Sequence, residues 1–401
     1  MKYTVSIILM LLFCICQQLA NLSYFSAIHL IFFSWLISTM FAYGPRVKVI
    51  LKSRKYVHLY CFLAFYFITM SIATNPLTGF ARVLAMMETL SPIYMFDLYC
   101  INKWNEKKYP FYVLVVIMCL NIIMSFAMIE LLGGSTGLRT TIQADSEMSF
   151  RDALGLVSSL AVIIPSIVYV LKNKRYIRSP RKRLIVILSI AFALWAFVLV
   201  MRSYFMIAIV TTIIGSFFAL IYSKRGSLFK GGVVLVLSIF LFLTSFNFLV
   251  SFVDGLSYGA SSQITPKLYE LKYFITGESH NAEDFSTRIN LAKSSLNLFF
   301  KEPIFGVSYK VMDFEETVRM GVGNHSEWVD SLALYGVFSF FLFSYLYRAA
   351  KKYNIRYKFF LPMILFCFSG FNNPILSFSF LCNIFLLVPM FLDTIEFKKL
   401  P

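Results

Sequence analysis

Apolar residues occupy this chain in long blocks, with the polar residues gathered between the blocks. An α-helix needs about 20 apolar residues to cross the hydrocarbon core of a bilayer. Twelve stretches come near that length: Tyr3–Leu19, Tyr24–Tyr43, Tyr56–Ala73, Val83–Ile101, Phe111–Leu132, Ala153–Leu171, Leu184–Met201, Ser203–Tyr222, Gly232–Phe252, Ser331–Tyr347, Phe359–Phe371 and Ile375–Ile395. The eleventh is short, and Asn372, Asn373 and Pro374 interrupt the apolar run that follows it. The pattern predicts an all-α polytopic membrane protein of about twelve transmembrane helices. Residues 1–251 carry helices 1–9, 252–330 form one long loop between helices 9 and 10, and 331–401 carry helices 10–12.

The long loop changes character twice. From Asp254 to Asn281 it is rich in Gly, Ser and Tyr and reads as irregular or partly helical. Ser286-Thr287 then opens RINLAKSSLNLFF, where Ile289, Ala292, Leu296 and Phe299 or Phe300 recur at helical spacing until Lys301-Glu302-Pro303 stops the run. This predicts an amphipathic helix, lying against the membrane surface or the bundle, with Arg288 in its first turn. Further on, Asn324 is placed to cap a new helix, with Glu327 three residues later as in a capping box. His325 would then be the first helical residue. There the positive end of the helix dipole disfavours an imidazolium and leaves a neutral ring able to accept a proton. Two readings follow: a general base at the membrane boundary, or a histidine simply hydrogen-bonded near a helix start.

Composition fixes the class. The chain is 59% hydrophobic and only 14% charged, far more apolar than a soluble domain. In a soluble protein a net charge of +17 would suggest nucleic acid. In a membrane protein it poses a question of sidedness, and no nucleic-acid partner is expected. With the N-terminus inside, 26 of the 37 lysines and arginines fall in cytoplasmic segments, and seven of the rest lie in the long loop, which the orientation rule largely exempts. Both termini are therefore expected in the cytoplasm and the 252–330 loop outside. Lys2 and the apolar run behind it loosely fit a signal peptide, but Gln17-Gln18-Leu19-Ala20 lacks a small-x-small cleavage site, so a retained first helix is expected.

All seven cysteines lie in or beside apolar spans, which implies packing rather than disulfides or metal. His29 and His58 read as packing or locally hydrogen-bonded residues. Glu88, more than a turn inside the fourth span, needs a partner or a cavity. Arg82 is six residues away, off the spacing that stacks a pair on one helix, so an arginine on another helix is the expected partner. In the outside segment GGSTGLRTTIQADSEMSFRD, Arg139 and Arg151 read chiefly as charge balance. Arg202, between two spans with almost no loop, needs an anion, either lipid phosphate or a phosphate-bearing substrate.

Three motifs together resemble the O-antigen polymerase and O-antigen ligase superfamily of bacterial surface-polysaccharide assembly. They are the arginine in VLVMRSYFMIAIV, the arginine-led helix with its Pro and Gly turn in TRINLAKSSLNLFFKEPIFGV, and His325-Ser326 followed after nine residues by Gly336 and then Ser339. The resemblance spans roughly Arg202 to Ser339. It implies an inner-membrane glycosyltransferase in which Arg202 and Arg288 bind the pyrophosphate of an undecaprenyl-linked oligosaccharide and His325 activates the acceptor hydroxyl. Two guanidiniums suit a leaving pyrophosphate, and the displacement would invert the anomeric carbon without cofactor, nucleotide or metal. Glu327, Asp330, Lys310, Arg319 and Arg139 are auxiliary candidates. The implied partners are membrane lipid and the chain-length regulator and flippase of the same pathway. Polymerase and ligase share donor, leaving group and base, and the polymerase is the reading favoured here. A lipid-oligosaccharide flippase is the rival from another class.

Overall fold

The computed structural model describes residues 2–19, 27–102, 108–126, 147–174, 177, 182–202, 206–221, 269, 283–310, 314–323, 326–357, 361–372 and 375–394. Every regular element among them is helical. In chain order these are α1 (Lys2–Leu19), α2 (Ile28–Leu51), α3 (Arg54–Ala73), α4 (Pro76–Asn102), α5 (Lys108–Phe126), α6 (Glu147–Lys172), α7 (Lys182–Arg202) and α8 (Met206–Ile221). After the loop region come α9 (Glu283–Lys301), α10 (Phe314–Arg319), α11 (Glu327–Tyr335), α12 (Ser339–Tyr357) and α13 (Leu361–Asn372). The last helix is α14 (Phe378–Thr394), which holds a π turn over Asn383–Leu387.

Helices stand at eleven of the twelve predicted apolar stretches, and the ninth, 232–252, lies outside the described residues. Four are long and apolar enough to cross a membrane: Ile28–Leu51, Arg54–Ala73, Gly155–Lys172 and Glu327–Tyr357. Many large apolar side chains are exposed, including Leu30, Ile37, Phe41, Ile72, Leu77, Ile187 and Leu194. A soluble monomer rarely exposes so much apolar surface. It is the surface of a helical membrane protein.

Helix α14 is the centre of the bundle. Nearly every residue from Phe378 to Leu392 is buried, and it packs on α4, α5 and α6. A helix that is apolar all round belongs inside. Within it Asn383 is fully buried and exchanges two hydrogen bonds with Asn121 of α5, at 2.7 and 2.8 Å, while also donating to Ser159 of α6 at 2.6 Å.

Helices α3 and α12 run antiparallel along an aromatic seam. Tyr56 meets Tyr345, His58 meets Phe341 edge-on, and Phe65 stacks on Phe338 with centroids 4.0 Å apart. At the end of the bundle where α3 begins and α12 ends, two carboxylates join helices. Asp97 of α4 accepts from Lys55 and Tyr56 of α3 and from Lys352 of α12. Asp393 of α14 accepts from Tyr99, Arg356 and Tyr357.

Several boundaries differ from those the hydropathy implied. Helix α2 runs on through the basic segment to Leu51, because Gly44, at φ +27°, breaks the first run and Pro45 is free to open the second. Helix α4 begins at Pro76 rather than Val83, since Asn75 Oδ1 accepts the Thr78 N–H at 2.9 Å and proline is favoured at the first helical position. The tenth stretch divides at Gly336, with φ +56°, and its second half continues to Tyr357 because Ala349, Tyr353 and Tyr357 keep a buried face through the basic residues. Glu88 pairs with His29, 2.6 Å away on α2, and not with an arginine. His58 Nδ1 is buried with no hydrogen-bond partner among the described residues.

Candidate functional site

Helices α9 and α11 pack together with the chain between them, and this assembly gathers two of the three motif stretches. The Pro–Gly turn after α9 lies directly on the glycine turn after α11. Val337 N–H donates to the Pro303 carbonyl at 2.8 Å, and Val307 N–H donates to Ala333 at 3.0 Å. The approach demands glycine on both sides. Gly306 has φ +64°, and a Cβ there would sit 2.3 Å from the Leu334 carbonyl oxygen. A Cβ on Gly336 would sit 2.4 Å from that of Ile304. Beneath the turns, Val307, Val322 and Ala333 form a small buried cluster with Leu298 and Leu334 against it.

The face of α9 that packs on α11 centres on Ser295, and of the apolar spacing Ala292 and Phe299 are partly buried. Ile289, Leu296 and Phe300 are exposed, whereas Ser295 is fully buried and Leu291 and Leu298 flank it. The reason is polar. Ser295 Oγ donates to Asp330 Oδ1 at 2.6 Å and accepts the Gly323 N–H at 2.7 Å, while Ser294 Oγ donates to the Gly321 carbonyl at 2.7 Å. Gly323 lies so close to α9 that a Cβ would come within 2.7 Å of the Leu291 carbonyl oxygen.

Helix α11 starts later than expected. Its N-cap is Ser326, whose hydroxyl accepts the Val329 N–H at 3.4 Å and donates to the Gly370 carbonyl of α13 at 3.3 Å. The other oxygen of Asp330 accepts the Ser326 N–H at 2.8 Å. The cap is therefore Ser326 and not Asn324, and the helix opens at Glu327 rather than at His325. Asn324 and His325 themselves lie outside the described residues.

Asp330 holds Ser326 directly and Gly323 through Ser295. The residues on either side of the pair 324–325 are thus tied to one buried carboxylate and to the helix that carries Arg288. This is an arrangement in which a loop is positioned by rigid elements. Arg288 stands two turns before Ser295 on α9, in the same helical register.

No known protein family, curated protein or solved structure matches this chain.

The auxiliary candidates separate clearly. Asp330 positions its neighbours. Glu327 binds backbone: its Oε2 accepts the N–H groups of Ile375 at 2.9 Å and Leu376 at 3.0 Å, fastening the start of α11 to the chain that enters α14. Lys310 is exposed and pairs with Glu302 at 2.6 Å, a hydrogen bond that pushes its ammonium above the ordinary lysine value. Arg319 ends α10 on the surface. Ser339 is buried, donating to the Gly336 carbonyl at 2.7 Å. Arg202 is the last residue of α7 and Arg288 lies in α9, but their side chains are outside the description, as is the whole of Arg139.

Sequence reasoning missed Ser295 altogether. The signal was present as a register, since Ser295 follows Arg288 by seven positions, but serine in an amphipathic helix reads as the solvated side.

Proposed function

We propose that the chain is an O-antigen or capsular polysaccharide polymerase, a glycosyltransferase of the bacterial inner membrane. It has both termini in the cytoplasm and residues 252–330 in the periplasm, and it joins undecaprenyl-pyrophosphate-linked repeat units there. The acceptor hydroxyl oxygen attacks the anomeric carbon of the donor sugar and its proton passes to His325. The bond from that carbon to the pyrophosphate oxygen breaks, and Arg202 and Arg288 hold the negative charge on the leaving polyprenyl pyrophosphate. One bond forms as one breaks, so the anomeric configuration inverts.

The observation that supports this reading is the joint anchoring, by Asp330 and Ser295, of the arginine-bearing helix and both flanks of the 324–325 loop. A base and a phosphate clamp on opposite sides of one carbon need such a fixed relation, because effective molarity is lost quickly with misplacement. Deleting the gene and restoring it on a plasmid, with the lipopolysaccharide banding pattern as readout, tests the proposal. A polymerase leaves core bearing a single repeat unit and no ladder. Core without any repeat, with lipid-linked polymer accumulating, identifies a ligase. An unchanged surface glycan removes the proposal, and essential Glu88 with dispensable His325 would favour a flippase.

A further inference from the structure

A second polar site lies at the far end of α12. A cavity of about 450 Å3 opens there, floored by Arg54 and Lys55 of α3, Asp97 of α4, and Arg348, Lys351 and Lys352 of α12. This volume falls within the about 300–1,000 Å3 of small-molecule sites. Five cations face one carboxylate. That carboxylate is already committed, since Asp97 accepts from Lys55 and Tyr56 on one oxygen and from Lys352 on the other, at 2.8 Å.

The remaining cations have no counter-ion among the described residues. Arg54, Arg348 and Lys351 make no hydrogen bond or ion pair among the described residues, and Arg348 Nε is buried without an acceptor. The three α12 cations and Ile355 follow one another at helical spacing, which sets them along one face. Arg54 and Lys351 are exposed beside the cavity and Arg348 is half-buried, with its Nε shielded from solvent and without an acceptor among the described residues.

Helix α3 adds a further donor set. Ser53, its N-cap, also lines the cavity and makes no side-chain cap bond; its carbonyl takes the N–H groups of Tyr56 and Val57, and those of Arg54 and Lys55 have no backbone acceptor among the described residues. Two exposed apolar side chains, Val49 and Ile355, stand at the same cavity beside the charged floor.

We infer that this cavity binds an anionic phosphate group, through Arg54, Arg348 and Lys351 and the start of α3. Planar guanidiniums beside a helix N-terminus suit phosphate oxygens. The group is carried either by an anionic phospholipid whose acyl chains pass over Val49 and Ile355 or by a soluble phosphate compound. The site is at the opposite end of α12 from the assembly around Asp330 and does not depend on the glycosyltransferase proposal.

The test uses the purified full-length protein in neutral detergent, with melting temperature as the readout, because a ligand that binds the folded state raises it saturably. Phosphatidylglycerol, phosphatidylcholine and inorganic pyrophosphate are titrated separately into wild type, the double variant Arg348→Gln/Lys351→Gln, and a charge-matched control, Lys398→Gln/Lys399→Gln. Wild type and control should be stabilised saturably by phosphatidylglycerol or by pyrophosphate and not by phosphatidylcholine, with affinity at least about ten-fold weaker in the double variant. Without ligand, the double variant should melt no lower than wild type, because it loses like-charge repulsion and no counter-ion contact. Response to phosphatidylglycerol alone assigns a lipid headgroup, and response to pyrophosphate assigns a soluble anion. No saturable response, or equal weakening in the control, overturns the inference.

Discussion

Asp330 and Ser295 are separated by 35 positions in the chain, yet they hold the candidate site together. Removing the carboxylate by Asp330→Ala leaves a buried serine hydroxyl and a backbone N–H unsatisfied, at a cost of about 1–3 kcal/mol. Asp330→Asn keeps one carbonyl oxygen to accept from Ser326 and should cost less. The expected order in glycan ladder intensity, at equal protein abundance, is wild type, then Asn, then Ala. An Ala variant with a wild-type ladder would deny Asp330 its positioning role. For the proposed chemistry, His325→Ala should abolish transfer while the protein remains inserted. Arg288→Lys should be severely impaired as well, since an ammonium does not reproduce two-pronged contact with phosphate. Normal glycan from either variant at wild-type expression removes that residue from the mechanism. The candidate residues were named from residue type, local spacing and the family resemblance. What holds them was not legible in the sequence, because a hydroxyl pairing across 35 positions leaves no local pattern.

At the scale of the helices, hydropathy located the described elements and misjudged several of their ends. Length in an apolar block is a local property and survives folding, whereas a boundary depends on single capping residues such as Asn75 and Ser326. On α9 the apolar spacing did not reveal the contact with α11, which is made by polar bonds from Ser294 and Ser295 while Ile289, Leu296 and Phe300 stay exposed. The glycine turn between α11 and α12 makes a sharp prediction. Gly336→Ala combines a left-handed φ with a Cβ 2.4 Å from the Ile304 carbonyl oxygen, so it should cost at least about 1–3 kcal/mol and lower the melting temperature. In the bundle, Asn383→Leu strands Asn121 and Ser159. It should be destabilising by about 1–3 kcal/mol, with part of the loss recovered when Asn121→Leu is added. A double variant no better than the single would mean that packing, not pairing, governs that point.

The whole molecule is a helical bundle with polar assemblies at both ends of α12. The proposed sidedness predicts that Lys310→Cys, in a cysteine-free background, reacts with a membrane-impermeant maleimide in right-side-out spheroplasts. Lys48→Cys should react only after the membrane is opened. The reverse labelling would invert the topology and, with it, the placement of the candidate site. The polar locks at Asp97 and Asp393 could not be read from composition, since their partners lie as far as 255 and 294 positions away. Helix α12 contains neither glycine nor proline between Ser339 and Tyr357 and so forms an unbroken rod of about 28 Å. One uninterrupted helix thus joins the glycine turn at Gly336 to the buried carboxylate of Asp97, so the separation of the two polar assemblies is set by the length of a single element.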